Sequence, residues 1–425
     1  MRCIITDRDK FWGFGRHFND LLFQSSASYA ASNIAQVSLT WYVFTVTKSA
    51  LAVGIVAIVE SLVFIIISLP VGVIVDRKNK GLLLFLSGTL SFLAMLGLSG
   101  ISFFRIFDFY LVLGMAALWG LSREISRSSN FSSLPDLVSR SLQSKANGVF
   151  RAVNSSLGSV SNAVAGGIIV AFGVVASFSI STAAYALSAI VSIVFLFPFY
   201  RSRVPESVAK SESETRMFQE LKEGFGWLIC RKGFFLLTLS AAFFNFFIIM
   251  AFTFYVVYVA RGLFDNSFIY GSILAVLAAG DVIGSLIPGR IDLVRHTGKV
   301  NVILFGGVIG LCLLLMGLYP KPYVALASSF FAGLSIGISE NLWLTTAHNI
   351  VPADMRGKYF ALDGVLTSLS PASIAVGALL IINFGILWDF IVSGIMMLIF
   401  SVIFGLMKSF WELDGRAQSE VVGLD

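Results

Sequence analysis

Residues 50–80 read ALAVGIVAIVESLVFIIISLPVGVIVDRKNK, and this stretch decides the fold class of the chain. From residue 50 to residue 75 the only charged side chain is that of Glu60. A helix crosses the hydrocarbon core of a bilayer with about 20 apolar residues. The charges that follow at residues 76–80 are typical of a loop at the membrane surface. We therefore predict a membrane-spanning helix that ends in a charged loop.

The rest of the chain has the same character. Of its 425 residues, 57% are hydrophobic, 13% are charged and 40 are Phe. Soluble domains carry about 25% charged and about 45–50% apolar residues. Together with a mean hydropathy of +0.87, this composition excludes a water-soluble globule. We predict a protein that crosses the bilayer many times.

Twelve apolar runs of membrane-spanning length follow one another, six on each side of a polar stretch at residues 201–232. Because the runs do not alternate polar with apolar residues, they indicate helices rather than barrel strands. The predicted fold is an all-α membrane protein with twelve transmembrane helices in two six-helix bundles. We call the helices spans 1–12 and predict them at 19–45, 50–75, 81–104, 108–134, 145–172, 174–200, 233–260, 267–290, 299–319, 322–347, 358–384 and 386–409.

The polar stretch divides the chain into domains. We predict an N-terminal bundle at 1–200, a linker at 201–232 and a C-terminal bundle at 233–425. Apolar residues at helical spacing in the linker predict an amphipathic helix in the cytoplasmic membrane interface. We interpret the linker as a tether, with a regulatory role as the alternative. The apolar residues of this helix are Met217, Phe218, Leu221, Phe225 and Leu228.

The distribution of positive charge predicts the orientation, because Lys and Arg are enriched on the cytoplasmic side of a membrane. Of the 30 Lys and Arg residues, 23 fall in the two tails and in the loops on one side of the predicted membrane, and four fall in the opposite loops. We therefore predict a multi-pass protein of the plasma membrane with both termini in the cytoplasm.

Several classes of function find no support in the sequence. The three Cys and three His residues are scattered, so they predict no disulfide framework, metal site or cofactor. The basic residues lie in short groups between apolar runs, which argues against nucleic-acid binding. A Gly-containing stretch at 284–291 lacks the Lys and Ser/Thr of a phosphate loop, and no nucleophile–base pattern or pore loop is visible. We predict neither an enzyme nor a channel.

The two halves repeat one another. The pair at 137–138, Leu-Val, recurs 213 residues later as Ile-Val at 350–351. Phe172-Gly173 has a looser counterpart in Phe384-Gly385. Transporters built from repeated six-helix halves bind their substrate near the middle of the membrane, at the interface of the repeats.

The loop after span 2 carries a family resemblance. Residues 72–80 read GVIVDRKNK, which is similar to the loop motif Gly-x-x-x-Asp-Arg-x-Gly-Arg/Lys of the major facilitator superfamily. Asn79 stands at the second glycine position, and Asn also visits the left-handed backbone region. The resemblance implies the two-bundle fold of that superfamily and a loop that latches neighbouring helices and controls switching between states. We assign this role to Gly72, Asp76, Arg77 and Lys80.

Span 5 carries a second resemblance. Residues 158–167 read GSVSNAVAGG, which is similar to the exporter-associated motif Gly-x-x-x-Gly-Pro-x-x-Gly-Gly, with Asn and Ala in place of the central Gly and Pro. The stretch looks most like the macrolide-efflux and enterobactin-exporter branch of the superfamily, which implies efflux. Small residues at this spacing allow close helix packing, and we predict this role for Gly158, Asn162, Gly166 and Gly167.

Charged side chains inside the spans are candidates for function. A charge near the bilayer centre costs at least about 2.5–3.5 kcal/mol on insertion scales, so it normally faces a partner or a cavity. Arg123 and Arg127 share one face of span 4, and Glu124 is a neighbour of Arg127 one turn away. The candidates for coupling or cavity charges are Glu60, Arg123, Glu124, Arg127, Asp281 and Glu340.

Two interpretations of these charges stay open. The repeat of 213 residues relates Arg127 to Glu340, and the two could pair across a central cavity in one state and part in the other. A carboxylate released from such a pair could take up a proton. Alternatively, each charge is satisfied within its own half. Glu60 is the expected partner of Arg123 or Arg127, and Asp281 is a second candidate for protonation.

Polar and aromatic side chains of spans 1, 7 and 10 are candidates for lining a cavity, with packing or interfacial anchoring as the alternative for each. These residues are Asn33, Gln36, Trp41, Asn245, Asn341 and Trp343.

Taken together, the sequence predicts a secondary active transporter that acts as a monomer in the lipid bilayer on a small-molecule substrate. The favoured function is proton-coupled efflux of amphipathic drugs or metabolites by alternating access. The alternative is an uptake or facilitative carrier of a small polar or anionic solute, for which Arg123 and Arg127 would bind the substrate. A membrane sensor that does not transport is the alternative from a different class.

Overall fold

The structure is a computed structural model, and its regular secondary structure is helical. It describes residues 14–139, 142–201, 223–263, 267–288, 291, 293–352, 355, 359, 362–363, 369–411 and 415.

The helices of the first half match the predicted spans to within a few residues. Asn79 caps span 3 by accepting a hydrogen bond from the Leu82 amide, and Asp108 caps span 4 by accepting from two amides of its first turn. Such caps satisfy amides that have no partner within the helix. Spans 1–4 are Arg16–Thr47, Ala50–Arg77, Lys80–Phe103 and Phe109–Leu137. Spans 5 and 6 comprise Gln143–Val191, a π-helical turn at Ser192–Leu196, and Phe197–Arg201.

The second half follows the same plan with more irregular helices. Span 7 is Lys232–Thr253 and continues beyond a turn as Tyr255–Val257 and a π-helical turn at Tyr258–Gly262. Span 9 comprises Thr297–Val300, a π-helical segment at Asn301–Val308, and Ile309–Leu318. Spans 8, 10, 11 and 12 are Ser267–Leu286, Pro322–Ile350, Ser370–Phe384 and Ile386–Gly405.

Two predicted helix ends were wrong. Span 8 ends at Leu286 instead of residue 290, because Pro288 disfavours helical backbone at the residue before it. Span 12 ends at Gly405 instead of residue 409, and Lys408–Trp411 forms a separate short helix. Most of residues 358–368, the predicted start of span 11, lies outside the described residues.

A glycine separates the last two spans in each half. Gly173 has φ 81° and ψ 172° between spans 5 and 6, and Gly385 has φ 92° and ψ 166° between spans 11 and 12. This backbone region is essentially restricted to glycine. The repeat of Phe172-Gly173 in Phe384-Gly385 is therefore confirmed as a repeat of local structure.

Eight helices of the described chain are long and apolar enough to cross a membrane. One of them, Ser156–Arg201, contains most of span 5 and all of span 6, and Ser370–Phe384 of span 11 is a shorter apolar helix. Spans 1 and 4 are long helices that carry more polar side chains. The fold is thus that of an all-α membrane protein with the expected succession of spans.

The chain divides into two compact units. The first contains Met1–Lys48 and Val56–Ser211, and the second contains Ser49–Ile55 and Glu212–Asp425. The beginning of span 2 therefore groups with the second unit, a detail that the predicted domain boundaries do not contain. Of the predicted linker helix, the structure describes a helical segment at 223–229, in which Leu228 is buried and Phe225 is exposed. Met217, Phe218 and Leu221 lie outside the described residues.

Small residues bring helices into close contact in each unit. In the first unit, a Cβ atom at Gly158 of span 5 would lie 3.0 Å from Cε1 of Tyr29 and 3.3 Å from Nδ2 of Asn33, both on span 1. A larger side chain at Gly158 would therefore displace the side chains of Tyr29 and Asn33. Asn162 is half-buried and Gly166 is buried on the same helix, whereas a Cβ atom at Gly167 would meet no atom of the described residues within 4 Å.

In the second unit, spans 8 and 10 meet through glycines. Gly280 and Gly284 lie one turn apart on span 8, and Gly333 and Gly337 lie one turn apart on span 10. A Cβ atom at any of the four would collide with backbone atoms of the other helix. This is the packing that small residues at a spacing of four allow in membranes.

Candidate functional site

Three spans of the first unit bring polar side chains together around Arg123. Nη1 of Arg123, on span 4, lies 3.7 Å from Oε2 of Glu60 on span 2. The same nitrogen donates a hydrogen bond of 3.1 Å to Oε1 of Gln36 on span 1. The Arg123 side chain is 44% exposed, whereas that of Glu60 is 12% exposed. We call Gln36, Glu60 and Arg123 the span 1–2–4 cluster.

Glu60 is incompletely satisfied within this cluster. Its Oε1 atom is buried and accepts no hydrogen bond from any described residue. Its other oxygen lies 3.7 Å from Nη1 of Arg123, and the Gln36 side chain is a further polar neighbour of the carboxyl group. A buried carboxylate is normally compensated by close donors or ion pairs. A proton bound to Glu60 would neutralise the carboxylate and so lower the cost of burying it with few hydrogen-bond donors.

Arg127 and Glu124 form a second ion pair, one turn further along span 4. Nε and Nη2 of Arg127 each lie 2.9 Å from an oxygen of Glu124, and Ser128 donates a third hydrogen bond of 3.0 Å to the same carboxylate. Glu124 is 1% exposed and Arg127 is 50% exposed. With three donors in place, Glu124 is a satisfied carboxylate, and it contacts the Arg127 guanidinium through two hydrogen bonds.

Aromatic rings support both arginines. The Arg123 guanidinium carbon lies 4.7 Å from the ring centre of Trp119, and that of Arg127 lies 4.8 Å from the ring centre of Phe64. Trp119 is itself fixed, because its indole nitrogen donates a 2.8 Å hydrogen bond to the Tyr185 hydroxyl on span 6. Glu60 and Phe64 lie one turn apart on span 2, as Arg123 and Arg127 do on span 4. Glu60 therefore contacts Arg123, and Phe64 contacts Arg127.

The loop after span 2 is tied to the end of span 4. Nζ of Lys80 lies 2.7 Å from Oδ2 of Asp136 and donates a 2.7 Å hydrogen bond to the Ser132 carbonyl oxygen. These contacts link the beginning of span 3 to span 4 across the cytoplasmic ends predicted from the sequence. The side chains of Asp76 and Arg77 lie outside the description, and a Cβ atom at Gly72 would meet no described atom within 4 Å.

In the second unit the predicted residues do not gather into one cluster. Asp281 is half-buried on span 8, and its backbone oxygen lies against Gly337. Nδ2 of Asn341 donates a 2.8 Å hydrogen bond to the Ser285 carbonyl oxygen, which joins span 10 to span 8. Trp343 packs with its ring centre 6.4 Å from that of Tyr359.

The remaining candidates have local surroundings. Glu340 is exposed on span 10, and Asn245 is half-buried on span 7. Asn33 donates a 2.8 Å hydrogen bond to the carbonyl oxygen of Tyr29 on its own helix, and Trp41 is buried. The pairing of Arg127 with Glu340 stays a prediction, and the partner that the structure gives to Arg127 is Glu124.

One buried acidic residue is not among the candidates predicted from the sequence. Asp389 is fully buried near the beginning of span 12, and neither of its oxygens has a hydrogen-bond partner among the described residues. The signal was available, because Asp389 is the only acidic residue in the predicted span at 386–409.

Comparisons with known proteins agree with this architecture. The family model described as Major Facilitator Superfamily matches residues 21–374. Macrolide efflux protein A of Streptococcus pyogenes is 20% identical over 411 residues, which cover 96% of this chain and 99% of that protein.

Solved structures share the fold at low sequence identity. A peptide transporter POT in complex with sulfate superposes with a TM-score of 0.73 at 13% identity, covering 93% of this chain and 94% of that one. A bacterial homologue of the iron transporter ferroportin in an inward-facing state has a TM-score of 0.69 at 14% identity, with 92% and 99% coverage. Since the family model spans most of the chain and the fold agrees, this protein belongs to the Major Facilitator Superfamily and is a membrane transporter rather than an enzyme.

Proposed function

We propose that this transporter exports amphipathic compounds across the plasma membrane by alternating access and that a proton gradient drives the export. It acts as a monomer, with both termini in the cytoplasm. The observation that carries the proposal is the environment of Glu60. Its side chain is 12% exposed, one of its oxygens accepts no hydrogen bond from the described residues, and it lies beside an arginine that is 44% exposed. The distant likeness to Macrolide efflux protein A supports export and suggests macrolides as the first substrates to test.

The proposed coupling uses the contact between Glu60 and Arg123. When Glu60 is ionised, its charge attracts Arg123 across 3.7 Å. A proton bound to the carboxylate removes this attraction, so that spans 2 and 4 lose one electrostatic contact. The same proton leaves on the cytoplasmic side later in the cycle, and the contact forms again. The protonation state of Glu60 would thus change with the proton gradient, while Glu124 keeps Arg127 in place throughout the transport cycle.

The loop after span 2 has a proposed role in switching. The contacts of Lys80 with Asp136 and the Ser132 carbonyl oxygen would hold the ends of spans 3 and 4 together in one state and open in the other. Asp76 and Arg77 belong to the same proposal through the sequence motif.

The test replaces Glu60 with Gln, which keeps the shape of the side chain and removes its ability to exchange a proton. We expect proton-gradient-driven accumulation of a radiolabelled macrolide in inverted vesicles to fall at least about tenfold, whereas substrate exchange without a gradient stays within about twofold. The matched control is Asp108→Asn, an acid-to-amide change at the exposed cap of span 4, which should leave both rates unchanged. Undiminished gradient-driven transport in Glu60→Gln would remove Glu60 from the coupling step.

A second candidate function is the uptake of a small anionic solute. It is favoured by the 44% exposure of the Arg123 side chain. Among the described residues, this side chain makes one short hydrogen bond, to Gln36. A guanidinium carries five N–H donors and binds carboxylates well. Saturable, gradient-independent entry of radiolabelled succinate into right-side-out vesicles would favour this function over export.

A further inference from the structure

The second unit contains an acid whose burial the fold leaves uncompensated. Asp389 is 0% exposed, and both of its side-chain oxygens lack a hydrogen-bond partner in the described part of the chain. An ionised carboxylate buried without such partners is costly, because it loses its hydration and gains nothing in return. A neutral carboxylic acid avoids most of this cost.

Apolar groups of spans 7 and 11 lie beside the Asp389 carboxyl. A Cβ atom built on Gly377 of span 11 would lie 3.2 Å from Oδ1 of Asp389, 2.9 Å from Cγ of Met250 and 2.9 Å from Cε2 of Phe254. The Asp389 carboxyl therefore lies where span 11 meets the end of span 7. A metal ion such as Na⁺ needs several oxygen ligands, and neither Met250 nor Phe254 offers one. A proton needs none.

The two tyrosine hydroxyls at the end of span 7 contact Met316 of span 9. The Tyr258 hydroxyl donates to the Met316 carbonyl oxygen at 2.9 Å, and the Tyr255 hydroxyl donates to the Met316 sulfur at 3.9 Å. Cys312 is buried on span 9, on the same helix as Met316. The charged residues of the elements packed on span 12 form no ion pair with Asp389 within the described ranges. They are Arg261 at the end of span 7, and Lys232, Lys299 and Lys408 towards the opposite end of span 12.

The repeat shows that packing does not require an acid here. The offset of 212 residues that relates Gly173 to Gly385 also relates Ser177 to Asp389. In the first unit, Oγ of Ser177 lies 2.5 Å from Oγ of Ser38 on span 1, and both residues are buried. In the first unit, span 1 thus provides the Ser38 hydroxyl as a partner for Ser177. In the second unit, span 7 places Met250 and Phe254 near Asp389 instead.

A purely structural role for the charge has little support. A carboxylate in the first turn of a helix is favoured by the helix dipole and by hydrogen bonds from free amides. The oxygens of Asp389 accept no such hydrogen bond from the part of the chain that the structure describes. Without these hydrogen bonds, the charge of an ionised Asp389 would stabilise span 12 little.

We propose that Asp389 is a second proton-binding residue of the transport cycle, an inference that rests on the proposed proton-driven function. In the conformation seen here Asp389 is a neutral acid shielded by Gly377, Met250 and Phe254. When spans 7 and 11 move away from it, water reaches the carboxyl and the bound proton leaves. The carboxylate then binds another proton before the shield closes again, so each cycle balances one proton bound with one released.

The protonation state is tested directly by infrared spectroscopy of the reconstituted protein at neutral pH. We expect the carbonyl stretch of a protonated carboxyl group in the unmodified protein, and a loss of part of that band in Asp389→Asn. Ser393→Ala is the matched control, because Ser393 is buried one turn further along span 12 and also lacks a hydrogen-bond partner among the described residues. An identical band in Asp389→Asn and the unmodified protein would overturn the inference.

The role in transport is tested in the same vesicles as the Glu60 variant. Proton-gradient-driven macrolide accumulation should fall at least about tenfold in Asp389→Asn, with gradient-free exchange within about twofold of the unmodified protein. Asp389→Ser introduces the residue found at the equivalent position of the first unit, and it should behave in the same way if the amide variant fails to fold.

The outcomes separate this inference from the function on which it rests. Loss of gradient-driven transport in Glu60→Gln, with full transport in both Asp389 variants, would overturn the role of Asp389 and leave the proposed function standing. A complete absence of gradient-driven transport in the unmodified protein would overturn both.

Discussion

Arg123 has more hydrogen-bond donors than the described residues of the first unit pair with acceptors. Its guanidinium makes a hydrogen bond with Gln36 and a long contact with Glu60, and nearly half of the side chain is exposed. Under the proposed export, Arg123 serves as the charge that Glu60 attracts. Under the second candidate function, the unused donors bind an anionic solute. The two roles need different properties of the side chain. The first needs only a positive charge, and the second needs the planar guanidinium with its several N–H donors.

Replacing Arg123 with Lys separates these roles. Lys keeps the positive charge but lacks the planar guanidinium that can donate two parallel hydrogen bonds to a carboxylate. We expect macrolide export to stay within about fivefold, because a partly exposed ion pair contributes about 0.2–1 kcal/mol. The measurement is the initial rate of radiolabelled macrolide and succinate transport in vesicles, with Arg123→Gln as the variant that removes the charge. Saturable succinate uptake that disappears in Arg123→Lys would contradict the proposed role and support an anion carrier.

The residues of the site differ in how far the sequence predicts their contacts. Glu124 and Arg127 are neighbours on one helix face, so their spacing alone predicts the ion pair. Glu60 and Arg123 lie 63 positions apart in the sequence, and only the packing of spans 2 and 4 decides that Glu60 meets Arg123 rather than Arg127. Asp389 was overlooked because a single acid beside Trp388 and Phe390 leaves the apolar run intact.

At the scale of helices, the apolar runs predicted the spans because a bilayer demands a minimum length of apolar helix. The exceptions have local causes. The break of span 7 after Thr253 leaves no mark in the composition, since apolar residues continue on both sides of it. Span 8 ends before Pro288, and a count of apolar residues does not include the effect of proline on the helix before it.

The positive φ of Gly385 leads to a prediction about helix connections. Replacing Gly385 with Ala should lower the free energy of unfolding by about 1–3 kcal/mol, because a side chain in this backbone region is strained. No described atom lies within 4 Å of the added Cβ atom, so the loss isolates the backbone effect from packing. The measurement is thermal unfolding of the protein in detergent.

Gly148→Ala is the control for this prediction. Gly148 lies inside a helix, and a Cβ atom there also meets no described atom within 4 Å. Ala should stabilise this position by about 0.4–1 kcal/mol, because it restricts the unfolded chain. Equal shifts in Gly385→Ala and Gly148→Ala would show that the turn between spans 11 and 12 does not depend on glycine.

At the scale of the whole molecule, the predicted orientation rests on charge alone. The two free cysteines among the described residues differ in exposure, since Cys230 is exposed just before span 7 and Cys312 is buried in span 9. On the predicted topology Cys230 lies on the cytoplasmic side. A Cys3→Ser variant therefore leaves one exposed thiol whose side of the membrane reports the orientation.

We expect a membrane-impermeant maleimide to label the Cys3→Ser variant in inverted vesicles and not in right-side-out vesicles. The control adds Cys230→Ser and Lys321→Cys, which moves the thiol to an exposed position between spans 9 and 10 on the predicted outer side. This variant should show the opposite pattern. Labelling of Cys230 in right-side-out vesicles would invert the topology. Because 23 of the 30 basic residues would then lie outside the cell, that result would also place the Lys80 contacts on the outer face and exclude their proposed role as a cytoplasmic latch.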